Sequence, residues 1–370
     1  MGGCGGAIPP QGTFKVKTYK NLFPQITTFE NLYLAYRQAR KGKRGKAPVA
    51  DFELNYEPNL LNLQEELRSL TYKPGAYHNF TIYEPKQRLV SAAPFRDRVV
   101  HHALCRVIEP IWEARFHYHS YACRVGKGTH AALDQAHQWV RRYPYVFHGD
   151  IVKYFPSIDH QILMGLITKR IRDPRAIWLA KTILDTGRDI QPQEQRSLYF
   201  PGDDLFAALR PKGLPIGNLT SQFWANVYLN ELDTFVAQEL QCHAYLRYMD
   251  DFLLFSESKA ELNAWKIAIR SFLEEHLRLF MHENKSVVNH TRTGLDFCGM
   301  VLFPQRRKLR RTSITRFLKR FKMQRSLYSQ GQMSLDEVTT SVKSWIAHAA
   351  HADSWHLRSK IFREHPLLVK

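Results

Sequence analysis

Apolar positions recur along this chain with two periods, and the switches between them outline a mixed fold. Residues 28–40 (TFENLYLAYRQAR) and about 59–70 repeat at three- and four-residue intervals, the spacing of amphipathic helices. Residues 79–90 (NFTIYEPKQRLV) alternate and are broken by Pro85, which predicts a hairpin. Residues 95–116 read as a helix interrupted near Pro110, and another helix over 130–142 follows the Gly-rich RVGKGTH. The run YVFHGDI (145–151) has the pattern of a buried strand with an acidic end. Residues 159–185 predict helices broken at Asp173-Pro174, and 186–212, with Pro192, Pro201 and Gly202, predict a loop-rich insertion. Trp224, Val227, Tyr228, Leu232, Phe235, Val236 and Leu240 mark one face of a helix over 221–240. AYLRY and FLLF then flank a polar tip, Tyr248-Met249-Asp250-Asp251, which predicts a tight hairpin. Ser258 and Glu261 have capping-box spacing at the start of a helix to about 277. Residues 294–303 read as strands and 312–362 as a small helical domain. No internal repeat is visible. The order predicts an α+β fold with a sheet on one side and helices on the other.

Composition adds a partner. A chain of 370 residues has room for two or three subdomains, and its net charge of +19 calls for a polyanion, most simply nucleic acid. The cations cluster in KGKRGK (Lys41 to Lys46) and in the acid-free stretch from Arg306 to Arg325. There Arg310, Arg311, Lys319 and Arg320 alternate with Leu309, Ile314, Phe317 and Phe321, as on a packed element with one basic face. The five cysteines are scattered and form no CxxC pair, so neither a disulfide framework nor a zinc site is indicated, and a cytoplasmic setting is expected. His117/His119 and His348/His351 read as core or phosphate-contacting residues. No apolar run is long enough for a membrane span. The start MGGCGGAIPPQG lacks a signal core and carries Gly6 where myristoylation favours Ser or Thr, so residues 1–20 read as a flexible tail.

The chemistry sits at the hairpin tip. Two adjacent carboxylates repel unless a divalent cation neutralises them, and hard oxygen donors suit Mg²⁺. Carboxylates holding a metal pair are the machinery of in-line phosphoryl transfer. A solvated Asp-Asp turn is the alternative reading. A polymerase needs a further carboxylate from another strand, and Asp150, ending the run 145–151, supplies it unless it serves as a turn or cap residue. Asp159, in SIDHQIL, reads as a helix cap.

With these residues in place, a resemblance can be stated. HGDIVKYFPSID (148–159), GLPIGNLTSQ (213–222) and YMDD resemble the first three palm motifs of reverse transcriptases. HENKSVV (282–288) and GLDFCGMVL (294–302) resemble the two that close the palm, and EPKQRLVSAAPFRDRVVHHAL (84–104) and SYACRVGKGTHAAL (120–133) resemble the finger motifs. The resemblance covers about residues 20–360 with every motif in order. It implies a right-hand polymerase: fingers 21–147, palm 148–303 with the insertion 186–212, and a short helical thumb 304–370. It implies catalysis by Asp150, Asp250 and Asp251, with two Mg²⁺ ions (Mn²⁺ as the alternative) held by these and by Ile151. Lys86 and Arg88 would clamp the dNTP triphosphate, and Phe155 would exclude a 2′-hydroxyl. Ile216 and Gly217 would lie along the nucleotide, and Lys285 near the leaving pyrophosphate. Arg124, Lys127, Gly128, Ser221, Gln222, Arg310 and Arg311 are the expected contacts to template RNA and the RNA/cDNA duplex.

The subclass is read from the second motif. The wider family has Gln-Gly-x-x-x-Ser-Pro there, whereas this chain has Ile216 for Gln and Gln222 for Pro. That variant is similar to the reverse transcriptases of diversity-generating retroelements, which are bacterial, archaeal or phage-encoded. The resemblance implies error-prone copying of a template-repeat RNA at adenines and a small basic, oligomeric accessory variability protein. The rivals are a group II intron-like or phage-defence enzyme and a catalytically weak RNA-binding scaffold. An intron enzyme would carry a maturase and DNA-binding segment, and residues 312–370 are too few for a thumb plus a nuclease.

Overall fold

A computed structural model gives the fold and describes residues 17–83, 87–188, 199–200 and 203–366. Most of the expected N-terminal tail, much of the expected insertion, and Lys86 lie outside the described residues. Helices α1 (Phe23–Ile26), α2 (Phe29–Ala39), α3 (Ala47–Leu54) and α4 (Tyr56–Arg68) precede a hairpin of β1 (His78–Ile82) and β2 (Arg88–Ala92). Then come α5 (Phe95–Glu113), α6 (Thr129–Arg142), β3 (Tyr145–Gly149), the single turn α7 (Tyr154–Ser157), α8 (His160–Arg170), α9 (Pro174–Thr186) and α10 (Leu219–Gln238). They are followed by β4 (Tyr245–Tyr248), β5 (Asp251–Ser256), α11 (Lys259–Leu277), β6 (Val287–His290), β7 (Leu295–Phe297), β8 (Met300–Leu302) and β9 (Arg307–Leu309). Helices α12 (Arg311–Ser329), α13 (Leu335–Ala349) and α14 (Trp355–Glu364) close the chain. The expected mixture of helices and antiparallel sheet is what forms.

The residues group into two compact units. The first comprises Met1–Ala114, Ile158–Ser197 and Phe206–Tyr228, and is mainly helical. Its centre is the packing of α2 on α5, where the buried Asn31 amide donates to the Ile26 and Ala103 carbonyls at 3.0 Å each. Tyr36, Phe52 and Phe95 stack edge and face around the same seam. Asp173 caps α9 through the Arg175 and Ala176 N–H groups and also accepts from the Phe23 N–H at 2.8 Å, tying α1 to α9. Asp159 caps α8 in the same way.

The second unit comprises Arg115–Ser157, Leu198–Leu205 and Leu229–Lys370. It contains an antiparallel sheet in the order β4-β5-β3-β6 and a smaller one in the order β7-β8-β9. Leu133, Ala136, Val146, Leu246, Phe255 and Met300 form one core joining α6 to both sheets. Helices α12–α14 have a core of their own, in which Phe317 stacks on Trp345 with ring centroids 3.8 Å apart. Among the described residues, no helix is long and apolar enough to cross a membrane.

Two local expectations change, and some local features were unread. Helix α5 runs unbroken through Pro110, because that residue lies in the last turn, where it removes a single bond while Ile108, Ile111 and Trp112 stay buried. The Ser258–Glu261 box is half formed: Ser258 caps the Glu261 N–H, but the Glu261 carboxylate takes the Ser256 hydroxyl instead. A complete capping box, unread in the sequence, sits at Ser334 and Glu337. Helix α3 and strand β9 were also unread; α3 buries Val49 alone and so has almost no periodicity to detect.

Candidate active site

Register puts the acidic tip at the end of β3. In the β3–β5 pairing, Gly149 lies opposite Phe252, so Asp150 follows at the level of Asp251. The β4–β5 hairpin closes with Tyr248 opposite Asp251, leaving Met249 and Asp250 as a two-residue turn. Met249 takes φ +59°, the left-handed conformation such a turn requires. Gly149 is dictated by packing, since a Cβ there would come within 2.2 Å of the Phe252 ring.

A buried ion pair fixes the turn from beneath. Arg247 is completely buried, and its Nε and Nη2 donate to the two Asp233 oxygens at 2.7 Å each. Its Nη1 donates to the Met249 carbonyl at 3.0 Å, and the Tyr245 hydroxyl donates to Asp233 at 2.6 Å. Burial pulls the Arg247 pKa down, but the charge and hydrogen bonds of Asp233 more than reverse this and hold it above its ordinary value. One arginine thus ties α10 to the backbone of the acidic turn. Arg247 and Asp233 escaped the sequence reading. The available signal was a charged residue inside the otherwise apolar strand AYLRY, which demands a buried partner.

Charge is balanced above the turn as well. Lys285 Nζ lies 2.5 Å from Asp150 Oδ2, and the His282 N–H donates to the Asp150 carbonyl at 2.7 Å. The Ser286 hydroxyl accepts from the Asp150 N–H at 3.3 Å. His148 Nε2 stands 3.4 Å from Asp251 Oδ1. Ile151 is buried and bridges to Met281, and half-buried Phe155 packs edge-on against Tyr154.

The donor set suits a hard cation, since it consists of carboxylates without thiolates, and Asp150 already faces an ammonium group. Asp150, Asp250 and Asp251 do not form a ready-made cluster: among the described residues, no three His, Cys, Asp or Glu side chains converge to hold a metal by themselves. Mg²⁺ tolerates that, because it binds through one or two carboxylates and completes its shell with waters and substrate phosphates.

Other expected contacts of the second unit gather beside the hairpin. The 117–128 loop extends the β4 edge, with the Arg247 N–H donating to the His119 carbonyl and the Tyr121 N–H to the Arg247 carbonyl. Arg124 braces this loop by donating to the His117 and Ser120 carbonyls at 2.7 and 2.9 Å. Lys127 Nζ sits 3.5 Å above the centre of the exposed Tyr118 ring. Gly128 precedes α6 at φ +105°, and Thr129 shares a hydrogen bond with the Tyr248 hydroxyl. In the basic stretch, Arg310 is paired with Asp296 and Arg307 with Asp134, so acids distant in sequence occupy them, while Arg311, Lys319 and Arg320 are exposed.

The remaining site residues belong to the first unit. Arg88 is exposed on β2, opposite Ile82. The Ser91 N–H donates to the Ile216 carbonyl at 2.9 Å, and the Asn218 side chain bonds both Ala93 and Ser91. Gly217 has φ +115°, and a Cβ there would meet Val90 at 2.9 Å. Ser221 is buried and Gln222 exposed on the first turn of α10.

Comparison with known proteins adds a match over residues 73–302 to the family described as reverse transcriptase (RNA-dependent DNA polymerase). Protein YkfC of Escherichia coli (strain K12) is 28% identical over 286 residues, covering 66% of this chain and 71% of its own. The group II intron-encoded protein LtrA of Lactococcus lactis subsp. cremoris is 22% identical over 351 residues, covering 76% of this chain and 56% of its own. Nuclear intron maturase 2, mitochondrial, of Arabidopsis thaliana is 27% identical over 187 residues, covering 46% of this chain and 25% of its own. The chain thus spans little more than half of LtrA and a quarter of the maturase.

Proposed function

Because the chain belongs to the reverse transcriptase family and is an RNA-directed DNA polymerase, we propose that it serves a diversity-generating retroelement, copying a template-repeat RNA into cDNA with errors at adenines. The observation that carries this reading is the altered second motif, Ile216 and Gln222. In this reading residues 21–147 are fingers, 148–303 palm and 304–370 thumb.

Asp150 and Asp250 hold the metal ions, with the Ile151 carbonyl assisting and Asp251 orienting the site. Bound Mg²⁺ supplies charge neutralisation and activation of the primer hydroxyl. The chain's own part is positioning: Arg247 fixes the turn that carries Asp250, and Gly149 lets β5 close onto β3 so that Asp251 reaches the level of Asp150. Lys285 brings a positive charge to the same strand end. Arg88, Ile216 and Gly217 of the first unit contact the nucleotide, and Lys86, outside the described residues, is assigned to it as well. A small basic accessory protein meets this chain mainly through shared RNA or through its few acidic patches.

The similarity to LtrA favours a second reading, a group II intron-like reverse transcriptase. Sequencing the cDNA made from one RNA template separates them. Substitutions concentrated at template adenines support the retroelement reading, and errors spread evenly over the four bases support the intron-like one.

A further inference from the structure

KGKRGK and the helix FRDRVVHHAL meet in the first unit around a cavity of about 220 Å³, which touches the polymerase reading only through Gly217 and Gln222. Lys43, Arg98, His101 and His102 line it, together with the start of α10 at Gly217–Leu219. No acidic side chain stands among its described lining residues. Such a cavity collects cationic and N–H groups without supplying their counterpart.

Three observations bear on what the cavity could hold. His101 is 2% exposed, yet among the described residues its Nδ1 has no hydrogen-bond partner, and the buried Nδ1 of His102 has none either. The first N–H groups of an α-helix lack intrahelical acceptors, and here the Asn218 side chain bonds Ser91 and Ala93. Arg98 is tethered through Nε to the Ala93 carbonyl at 2.7 Å, which fixes its guanidinium at the cavity. The charges oppose one another. Burial, then Arg98 and Lys46, lowers the Lys43 pKa, and burial lowers that of Arg98. Burial, then His102 and Arg98, takes His101 down to about 3. Burial, then Lys43, Arg106 and Arg98, takes His102 down to about 4. At neutral pH both imidazoles are therefore uncharged, and either donates to an anion when its proton sits on Nδ1. A groove lined by Arg37, Lys41 and Arg106, with Arg40 and Arg44 paired to Glu53, also belongs to this unit and shares the 40–46 loop with the cavity.

We propose that this cavity binds one phosphate group, held by Lys43, Arg98, the two imidazoles and the start of α10. The chemistry is shared by a phosphodiester of a bound RNA strand, whose neighbouring phosphates the groove would follow, and by free phosphate. The proposal deepens the polymerase reading and rests on it only for the identity of the strand.

The test titrates inorganic phosphate into the full-length chain, without metal or dNTP, while the side-chain nitrogen resonances of the histidines are followed. Phosphate should shift the His101 and His102 resonances and raise the pH at which both take up protons, because a bound anion favours the charged imidazoles. Lys43→Gln, on the partly exposed loop, and Arg98→Gln should each weaken binding about tenfold, the worth of one charge-assisted hydrogen bond. Lys319→Gln on α12 should leave it unchanged; an equal loss there, or unmoved His101 and His102, overturns the proposal. If Arg98→Gln fails to fold, Lys43→Gln still decides. Short single-stranded RNA without terminal phosphates that displaces phosphate identifies the strand backbone as the source. RNA that binds without displacing it identifies free phosphate. Primer extension by the unmodified chain is scored separately, so failure of the pocket and failure of the polymerase reading give different results.

Discussion

Two clusters of basic side chains in this protein are built on opposite plans. Beneath the acidic turn, Arg247 is enclosed with Asp233, Tyr245 and the Met249 carbonyl, and its cation has a matching anion. At the first turn of α10, Lys43, Arg98, His101 and His102 crowd together with, among the described residues, no acid in the lining and two imidazole nitrogens unpaired. A buried charge costs several kcal/mol unless it is paired, so the completed pair serves the fold, whereas the half-exposed cluster can keep its cations unpaired for the phosphate proposed above. The contrast separates scaffolding from recognition without reference to any ligand in place.

The largest effect should come from breaking the completed pair. Arg247→Leu leaves the Asp233 carboxylate buried without its cation and should cost about 3–5 kcal/mol of unfolding free energy in a denaturant titration. Arg247→Leu combined with Asp233→Leu should recover much of that loss, because two apolar groups replace two charges. If the double variant is no more stable than the single one, the pair is not a closed unit and the contrast fails.

The incomplete cluster should show itself in acid. Unfolded histidine titrates near 6.5, whereas folded His102 and His101 are held at about 4 and about 3. The unfolded chain therefore binds the extra protons, and the stability these residues confer is whole above about pH 6.5 and drains away as pH falls toward 4 and then 3. His101→Asn with His102→Asn should flatten that acid limb, and phosphate should displace it to lower pH in the unsubstituted protein. Thermal unfolding across this range, with and without phosphate, measures both, and an unaltered limb in the double variant would remove the histidines from the account.

The smallest effect concerns Ile216. Its side chain offers no donor or acceptor, so Ile216→Gln restores a polar check worth about 0.5–1.5 kcal/mol, or a few-fold in discrimination. Misincorporation opposite template adenine should fall by that factor while extension persists. Identical error spectra would leave Ile216 a packing residue.

How much of this was legible in sequence depended on whether the signal was local. The acidic hairpin, the strand ending in Asp150 and the long face of α10 were readable because period and turn chemistry reside within a few neighbouring residues. Asp159 and Asp173 were readable as a cap and a helix break for the same reason. The partners of Arg247, Arg307 and Arg310 were not, since Asp233, Asp134 and Asp296 meet them only after folding. The acid-free run from Arg306 to Arg325 looked uniformly available for phosphate, and tertiary pairing claimed two of its arginines. The cavity at Lys43 was hidden for the converse reason: KGKRGK and FRDRVVHHAL were each noticed, but nothing in either segment says that they share a wall.

The central claim is that Asp150 and Asp250 carry RNA-directed DNA synthesis, and one comparison tests it directly. Primer extension on an RNA template with dNTPs and Mg²⁺ is run on the unsubstituted chain, Asp150→Asn and Asp250→Asn, with RNA binding measured in parallel. The account predicts extension by the first protein, none above background by the other two, and RNA binding nearly equal in all three, since one carboxylate hardly alters a net charge of +19. Near-full extension by Asp250→Asn would contradict it.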